Sequence, residues 1–313
     1  MISIHFAPLQ GYTDAIYRQL HNKYFGGIEK YYTPYLRFEP NKQPKKSVIK
    51  DLLPENNIGL NLVVQLLGKD IDLFIEHCKA LEQQGYKEIN WNLACPFPMV
   101  YKSGFGSGLL QNPKEISNIL EKVLPKINLP LSIKCRLGFE NENEIFDIIN
   151  ELNNFNLLEI IVHTRTAKQM YKGETIPSAF KDVSPKSKNK LIYNGDIKSE
   201  EDLDILSEEF MIKPETIMIG RGLLQNPFLA EELNRKTITN KKNILENFHS
   251  ELYSAYEEKL EKSHLLTRMQ KHWEYLSHSF VNQHKVHKLI KKASSIKKYD
   301  ERIFEIFSNY EII

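Results

Sequence analysis

Eight short segments rich in apolar, β-branched or aromatic residues recur along the first three quarters of the chain, at 2–7, 29–33, 60–67, 88–92, 131–137, 158–163, 190–194 and 216–219. Between several of them, at 71–84, 113–124, 142–155 and 199–210, apolar residues return every three or four positions. The pattern predicts strands alternating with helices, two of which start at Asn112-Pro113 and Ser199-Glu200. Alternation favours a parallel sheet, and eight units predict an α/β fold of the (β/α)8 TIM-barrel type. An open doubly wound sheet is the alternative, but no Gly-x-Gly-x-x-Gly follows the first strand.

The character of the chain changes near residues 237–241, after which no convincing strand is found. The remainder is rich in Lys, His and Tyr and has the periodicity of three or four amphipathic helices. We therefore expect a catalytic TIM barrel at 1–238, followed by a small C-terminal all-α helical domain at 239–313. A chain of 313 residues is long enough for both.

Charge and cysteine content limit the class of protein. The formal net charge is only +2, so a nucleic-acid partner would have to meet a local basic surface rather than the whole molecule. Three widely spaced cysteines without a Cys-x-x-Cys pair are typical of a reducing compartment. The first residues do not form a signal peptide, and no apolar run approaches the ~18 residues of a membrane span. We expect a soluble, cytoplasmic protein with no membrane contact.

Polar residues and glycines gather where the predicted strands end, which is where TIM barrels carry their active sites. Because residues two apart in a strand share a face, Lys134 and Arg136 are expected to face the barrel mouth, and Cys135 the surrounding helices. Cys135 and Cys78 are therefore assigned to packing. The strand-end residues are Ala7, Pro8, Arg37, Gln65, Asn92, Cys95, Lys134, Arg136, His163, Arg165, Asn194, Gly195, Asp196, Gly220, Arg221 and Gly222.

Cys95 is the candidate catalytic residue. It follows a predicted strand and Asn92, and Pro96 ends that strand. The loop that comes next has glycines at 104, 106 and 108, which could let the segment move. A thiol in this position can donate a proton beneath a lid. The alternative is a buried cysteine that only packs.

Two cations and an imidazole, Lys134, Arg136 and His163, are expected in one barrel mouth. Burying them together is unfavourable unless an anionic or electron-rich ligand fills the space, so we predict an anionic cofactor. Asn194-Gly195-Asp196 and Gly220-Arg221-Gly222 come after the last two strands, as phosphate sites of such barrels do. The C-terminal histidines lack acidic or cysteine partners at ligand spacing, so no metal is predicted.

The whole chain resembles the tRNA-dihydrouridine synthases, flavin enzymes that reduce a uridine in tRNA. The matching blocks, in order, are Ala7-Pro8 with Gly11-Tyr12-Thr13-Asp14, Val64-Gln65-Leu66-Leu67-Gly68, Ile89-Asn90-Trp91-Asn92-Leu93-Ala94-Cys95-Pro96, Ile133-Lys134-Cys135-Arg136-Leu137-Gly138, Val162-His163-Thr164-Arg165-Thr166, Asn194-Gly195-Asp196-Ile197 and Met218-Ile219-Gly220-Arg221-Gly222. The resemblance continues into the predicted helical domain at Arg268-x-x-Lys271-x-Trp273. Length and the helical tail look most like the bacterial branch that acts on uridine 16 of the D-loop.

This resemblance implies FMN as cofactor and NADPH, or NADH, as electron donor. It implies that Cys95 gives a proton to C5 of the uracil while a hydride reaches C6. It also implies roles for the other residues: Ala7, Pro8 and Leu9 leave room for the flavin ring, Gln65 meets its pyrimidine end, Lys134 and His163 meet its electron-rich edge, and Asn194, Gly195, Asp196, Gly220 and Arg221 hold ribityl and phosphate. Arg37, Asn92 and Arg136 would meet the uracil and its phosphates, and Arg268 and Lys271 the tRNA. A monomer is expected.

Two departures from the family pattern accompany the resemblance. Ala94 stands where the family usually has Gly, and an alanine is tolerated there if its φ is negative. Phe97-Pro98 stands where Ser-Lys is usual. Two alternatives stay open: an FMN barrel oxidoreductase acting on a free small molecule, and a tRNA-binding homologue that has lost catalysis. In the predicted helical domain, Lys285, Lys288 and Lys292 fall on one helical face, and Lys291, Lys297 and Lys298 are near them in sequence. These lysines are predicted to be either a solvated face or an RNA contact.

Overall fold

Nine parallel strands form one sheet in the computed structural model, which describes residues 1–313. Their bounds are β1 Ser3–Phe6, β2 Lys30–Tyr32, β3 Leu36–Arg37, β4 Leu62–Leu67, β5 Ile89–Leu93, β6 Leu131–Arg136, β7 Ile160–His163, β8 Leu191–Asn194 and β9 Thr216–Ile219. All eight predicted strands are present. The ninth, β3, has only two residues, too few for an alternating pattern to predict.

The sheet closes on itself. The strand order is β2-β1-β9-β8-β7-β6-β5-β4, and β2 also pairs with β4, with Tyr31 opposite Leu62 and Tyr32 opposite Val63. The short β3 extends the edge of β4, where Leu36 lies opposite Leu66. Eight parallel strands in a closed ring with helices between them form a TIM barrel, as predicted.

Fourteen α-helices accompany the strands. They are α1 Ala15–Tyr24, α2 Lys46–Leu52, α3 Ile71–Gln83, α4 Pro98–Tyr101, α5 Pro113–Val123, α6 Glu144–Leu152, α7 Pro177–Val183, α8 Glu200–Glu208, α9 Arg221–Gln225, α10 Leu229–Leu233, α11 Lys241–Glu257, α12 Lys262–Leu276, α13 Gln283–Lys291 and α14 Ile296–Asn309. None of these helices is both long enough and apolar enough to cross a membrane.

The predicted helix starts have different outcomes. Ser199 caps α8 through a reciprocal capping box with Asp202, as its sequence indicates. Asn112 precedes Pro113 at the start of α5, but its side chain does not cap the helix. Helix α6 begins at residue 144, two residues later than predicted, because the Glu144 carboxylate accepts backbone N–H groups of Phe139 and Asn141 and holds that segment as a turn.

Four helices, α11 to α14, form the C-terminal part. They pack on the barrel through aromatic contacts, with the Phe248 ring 4.8 Å from that of Phe25 and 5.6 Å from that of Tyr17. One hydrophobic cluster runs through the barrel and these helices. The division into 1–238 and 239–313 therefore stays a prediction, although the break between α10 and α11 lies there.

The amino end of the barrel is filled, so a ligand can enter only from the other end. Near the starts of β2, β5 and β7, Lys30 Nζ lies 2.6 Å from Glu88 Oε2 and 3.6 Å from Glu159 Oε1. The Tyr32 hydroxyl donates to the Glu159 carboxylate at 2.8 Å. Above this charged layer lies an apolar layer of Ala7, Tyr32, Val63, Ile161, Ile192 and Met218.

Candidate active site

A cavity of about 730 Å³ opens at the carboxyl ends of the strands. Its size falls in the range of roughly 300–1,000 Å³ that small-molecule and cofactor sites occupy. The structure brings together there the predicted thiol, every predicted cofactor residue and three of the predicted substrate residues: Cys95, Ala7, Pro8, Leu9, Gln65, Lys134, His163, Asn194, Gly195, Asp196, Gly220, Arg221, Arg37, Asn92 and Arg136. Arg268 and Lys271 do not line it.

A chain of side-chain amides links the neighbouring strands β4 and β5 and ends at the backbone of Cys95. Gln65 Nε2 donates to Asn90 Oδ1 at 2.8 Å, and Asn92 Nδ2 donates to Gln65 Oε1 at 2.6 Å. Asn92 Oδ1 in turn accepts the backbone N–H groups of Ala94 and Cys95, both at 2.9 Å. Asn92, predicted to meet uracil, is thus engaged in holding the Cys95 segment in place.

Cys95 lies between this amide chain and a small apolar cluster of Leu67, Val100 and Phe105, with Tyr35 packed against it. Burial raises the pKa of the Cys95 thiol; hydrogen bonds from the Phe97 backbone N–H and the Tyr35 hydroxyl act in the opposite direction. The group is a protonated thiol at neutral pH, which is the form a proton donor needs. Cys78 and Cys135 lie in the main core, as predicted.

The glycines after Cys95 have a conformational reason other than the predicted mobility. Ser107 donates to the Cys95 carbonyl from both its backbone N–H, at 3.1 Å, and its hydroxyl, at 2.9 Å. Gly106 has a φ of +54°, and a Cβ there would lie 2.9 Å from the Cys95 carbonyl oxygen. Only glycine permits this close approach. Ala94 does not have a positive φ, so its methyl group is tolerated as predicted.

Lys134 is the buried cation of the mouth. Its Nζ donates to Asn194 Oδ1 at 2.6 Å, and Asn194 Nδ2 donates to the Met218 carbonyl at 2.8 Å. Burial, with Arg136 adding to it, lowers the pKa of Lys134 to about 7. Burial also holds the pKa of His163 well below its usual value, again with Arg136 and Lys134 adding to it, so that imidazole is neutral. An electron-rich ligand would restore the charge on Lys134.

We expect the stability of the ligand-free protein to record this lowered pKa. The unfolded chain keeps the lysine proton up to about pH 10.5, whereas the folded protein releases it near pH 7, so the folded state gains stability as pH rises between these values. The unfolding free energy of the wild type minus that of Lys134→Met should therefore increase with pH, by up to ~1.4 kcal/mol per pH unit. Urea unfolding at several pH values from 7 to 9 measures it. A constant difference would show that Lys134 is charged throughout.

Asp196 lines the cavity as predicted, and its carboxylate is paired with two arginines. Its carboxylate accepts from Arg221 at 2.6 Å and from Arg165, and Arg165 also donates to the Gly173 carbonyl at 2.8 Å. Burial alone would raise the pKa of Asp196, but the two guanidinium groups lower it. A carboxylate would repel a phosphate, so this geometry makes Asp196 the residue that orients Arg221. The next helix, α9, has only five residues.

Arg136 is 1% exposed and is held by backbone groups. Its Nε donates to the Ala94 carbonyl at 2.8 Å, and one terminal nitrogen donates to the carbonyls of Thr166 at 2.8 Å and Met170 at 2.7 Å. The guanidinium thus ties the Cys95 segment to the loop after β7. Its predicted contact with uracil would have to use the remaining terminal nitrogen.

Arg268 and Lys271 attach helix α12 to the loop after β1. Arg268 donates to the Gly11 carbonyl at 2.9 Å, and Lys271 Nζ lies 4.5 Å from the centre of the Tyr12 ring. Both residues are half-buried. These contacts explain the two side chains without RNA, and their contact with tRNA stays a prediction.

Five aromatic residues of the cavity were not predicted as site residues from the sequence: Tyr12, Tyr35, Phe97, Tyr171 and Tyr275. The ring of Tyr171 makes cation–π contacts with two arginines: the guanidinium carbons of Arg136 and Arg221 lie 5.2 and 5.5 Å from the ring centre. Tyr171 lies in a loop and Tyr275 comes from α12, so neither has a strand-end signal. Trp273, matched by the family pattern, is fully buried and donates to the Tyr299 hydroxyl at 2.9 Å.

Barrels of this architecture are enzymes whose chemistry takes place at the carboxyl ends of the strands, and the thiol and cations found there place this chain in that class. The model of the dihydrouridine synthase (Dus) family matches residues 5–310, and the chain belongs to this family.

Individual relatives agree with the family match. The chain is 29% identical over 228 residues to tRNA-dihydrouridine synthase B of Pasteurella multocida, covering 72% of this chain and 67% of the relative. It is 27% identical over 259 residues to a probable tRNA-dihydrouridine synthase of Staphylococcus aureus, covering 80% and 77%.

Solved structures share the barrel. The old yellow enzyme of Trypanosoma cruzi superposes with a TM-score of 0.53 and 12% identity, over 76% of this chain and 89% of that one. Histamine dehydrogenase from Rhizobium sp. 4-9 superposes with a TM-score of 0.55 and 11% sequence identity, over 79% of this chain and 48% of that one. At these identities the likeness establishes the fold alone.

Proposed function

We propose that this protein reduces the C5=C6 bond of a uridine in the D-loop of tRNA to dihydrouridine. The observation that carries the proposal is the position of Cys95: a protonated thiol lines a cavity that is large enough for a cofactor and a base and that a buried lysine also lines. Family membership and the names of the relatives support the same reaction. Uridine 16 is the position we propose, from the resemblance in length and helical tail.

The residues of the cavity fit FMN. Gln65 has one N–H and one oxygen lone pair left after its bonds to Asn90 and Asn92, and can therefore donate and accept at a pyrimidine-like edge. Lys134 and the neutral His163 suit an edge that becomes electron-rich on reduction. Arg221, oriented by Asp196, suits the phosphate. Bound FMN would supply the hydride, with NADPH as the source of its electrons.

The chain itself supplies the proton and stabilises the thiolate that is left. The Cys95 S–H bond would break as a C–H bond forms at C5, and this proton balances the hydride that bound FMN would supply to C6. The resulting thiolate is stabilised by the Phe97 N–H, the Tyr35 hydroxyl and the nearby Arg136. The amide chain through Asn92 keeps the sulfur in place during this step.

The target base must leave its stack to reach this mouth, which opposes binding by a few kcal/mol. Contacts with phosphates elsewhere must offset that cost. The exposed lysines of α13 and the segment after it, Lys285, Lys288 and Lys292, are the group we propose for such contacts.

Replacing Lys285, Lys288 and Lys292 together by alanine is expected to weaken tRNA binding at low salt and to flatten its salt dependence. Each lost phosphate contact lowers the slope of log K against log salt by ~0.7–0.9. Filter-binding titrations at several salt concentrations measure this slope. The matched control replaces Lys122 and Lys126, which are exposed near the amino end of β6 on the opposite face of the barrel. Equal slopes in both variants would exclude the α13 region as the contact.

The direct test of the reaction incubates the purified protein with NADPH and an unmodified tRNA transcript. Nuclease digestion and mass spectrometry then detect and map dihydrouridine. We expect one new dihydrouridine, at position 16. A protein that reduces a free pyrimidine and leaves tRNA unchanged would contradict the proposal.

A further inference from the structure

The segment after the candidate thiol presents apolar side chains to solvent at the mouth of the site. Phe97 is 45% exposed and Met99 is 81% exposed, and both line the cavity that Cys95 lines. Neither side chain packs in the hydrophobic clusters of the barrel. An exposed aromatic residue at the rim of a site is typical of a surface that a ligand covers.

The backbone of Phe97 is fixed before any ligand arrives. Pro96 and Pro98 flank it, and a residue before proline is restricted to extended conformations, as its φ of −70° and ψ of 136° show. A backbone fixed in this way does not lose further conformational entropy when a base stacks on the side chain.

The surroundings of Phe97 indicate what would cover it. The ring centre of Tyr171 lies 6.2 Å away, and Arg136 and Arg221 lie over that second ring. Arg37 lines the same mouth. Arg136 and Arg221 are already held by protein groups, which leaves Arg37 as the cation of this mouth for an RNA phosphate. Two aromatic rings with a cation beside them complement a single strand, because bases stack on aromatic side chains while cations meet the phosphates.

The short separation of Phe97 from Cys95 along the chain determines which base of the RNA could stack on Phe97. Phe97 is two residues from Cys95, so their Cα atoms are no more than ~7 Å apart. A base on Phe97 would therefore be an immediate neighbour of the uridine that faces the thiol.

We propose that Phe97 is a stacking platform for the nucleobase that flanks the target uridine in tRNA. The inference rests on the proposed function and deepens it, since it names a specificity-determining residue of the same site. The departure of this chain from the usual Ser-Lys at 97–98 thereby alters which neighbouring base is accepted rather than abolishing the reaction.

A double-mutant cycle tests the platform. Steady-state dihydrouridine formation is measured for wild type and Phe97→Ala on three transcripts: unmodified, abasic on the 5′ side of the mapped target uridine, and abasic on its 3′ side. Loss of one base stack raises KM for tRNA by roughly 5- to 100-fold. We expect this rise in Phe97→Ala on intact tRNA, and no further rise when the abasic site replaces the stacked base.

The controls separate stacking from folding and from loss of the reaction. Phe97→Tyr should restore the wild-type KM, and Phe304→Ala, at another exposed phenylalanine far along the chain on α14, should leave it unchanged. The rate of cofactor reduction by NADPH should be the same in all variants. Wild-type KM in Phe97→Ala, or losses that multiply on both abasic transcripts, would overturn the platform. Absence of dihydrouridine with the wild-type protein would instead overturn the proposed function.

Discussion

Replacing Cys95 by alanine is expected to lower the rate of dihydrouridine formation by about 10²- to 10⁴-fold, the usual contribution of a positioned general acid. The thiol lies in the cavity, and burial raises its pKa, so in the wild type it carries the proton throughout the neutral range. Alanine removes that proton and leaves the amide chain and the cations in place. Product formation on an unmodified transcript measures the loss, while cofactor content and tRNA affinity should not change.

Cys78→Ala is the matched control. This thiol is equally buried but lies in the main core, on α3, away from the cavity. We expect its catalytic rate to equal that of the wild type. A Cys95→Ala variant as fast as the Cys78→Ala variant would remove Cys95 from the reaction.

Arg136→Met is expected to have the second large effect, and on stability as well as on rate. The guanidinium donates to three backbone carbonyls, those of Ala94 and Thr166, which are buried, and that of Met170, which is half-buried. Buried acceptors left without donors cost ~1–3 kcal/mol each, so a loss on the order of 3 kcal/mol is expected after partial relaxation. Urea unfolding measures it, and the rate should fall because the Ala94 carbonyl adjoins the thiol segment.

The outcome also decides between two roles of Arg136. If the role of Arg136 is to hold the three carbonyls together, the stability of Arg136→Lys should lie between those of the wild type and Arg136→Met, because lysine keeps the charge but cannot reach all three carbonyls. If Arg136→Met folds with wild-type stability and loses only activity, the residue is a substrate contact alone, as the family resemblance implies.

Much of the site could be predicted because strand geometry is strict. The two-residue period sends Lys134 and Arg136 to the mouth and Cys135 to the core, and the closed barrel then brings distant strand ends such as Ala7 and Gly220 together. The same rule located Gln65, His163 and Asn194. These residues needed only the strand boundaries, which the apolar segments define.

The sequence did not reveal which side chains pair with one another, or which loop and helix residues reach the cavity. A motif cannot reveal that Asp196 pairs with Arg165 and Arg221, because Arg165 lies in the loop after β7 and is distant in sequence. Loops have no periodicity, so Tyr171 had no signal, and Tyr275 reaches the mouth only because α12 docks on the β1 loop. Glycines 104, 106 and 108 were associated with movement, whereas Gly106 is required by close packing on Cys95.

The central claim is that one cavity holds a uridine with a reducible cofactor on one face of its reacting double bond and the Cys95 thiol on the other. Its most direct test is a single-turnover experiment in which the protein is reduced anaerobically with NADPH, freed of excess NADPH and mixed with unmodified tRNA. The flavin absorbance should return rapidly with this tRNA, and slowly or not at all with tRNA that already carries dihydrouridine or with Cys95→Ala. A colourless protein, or a return of absorbance that is equally fast for both tRNAs, would contradict the account.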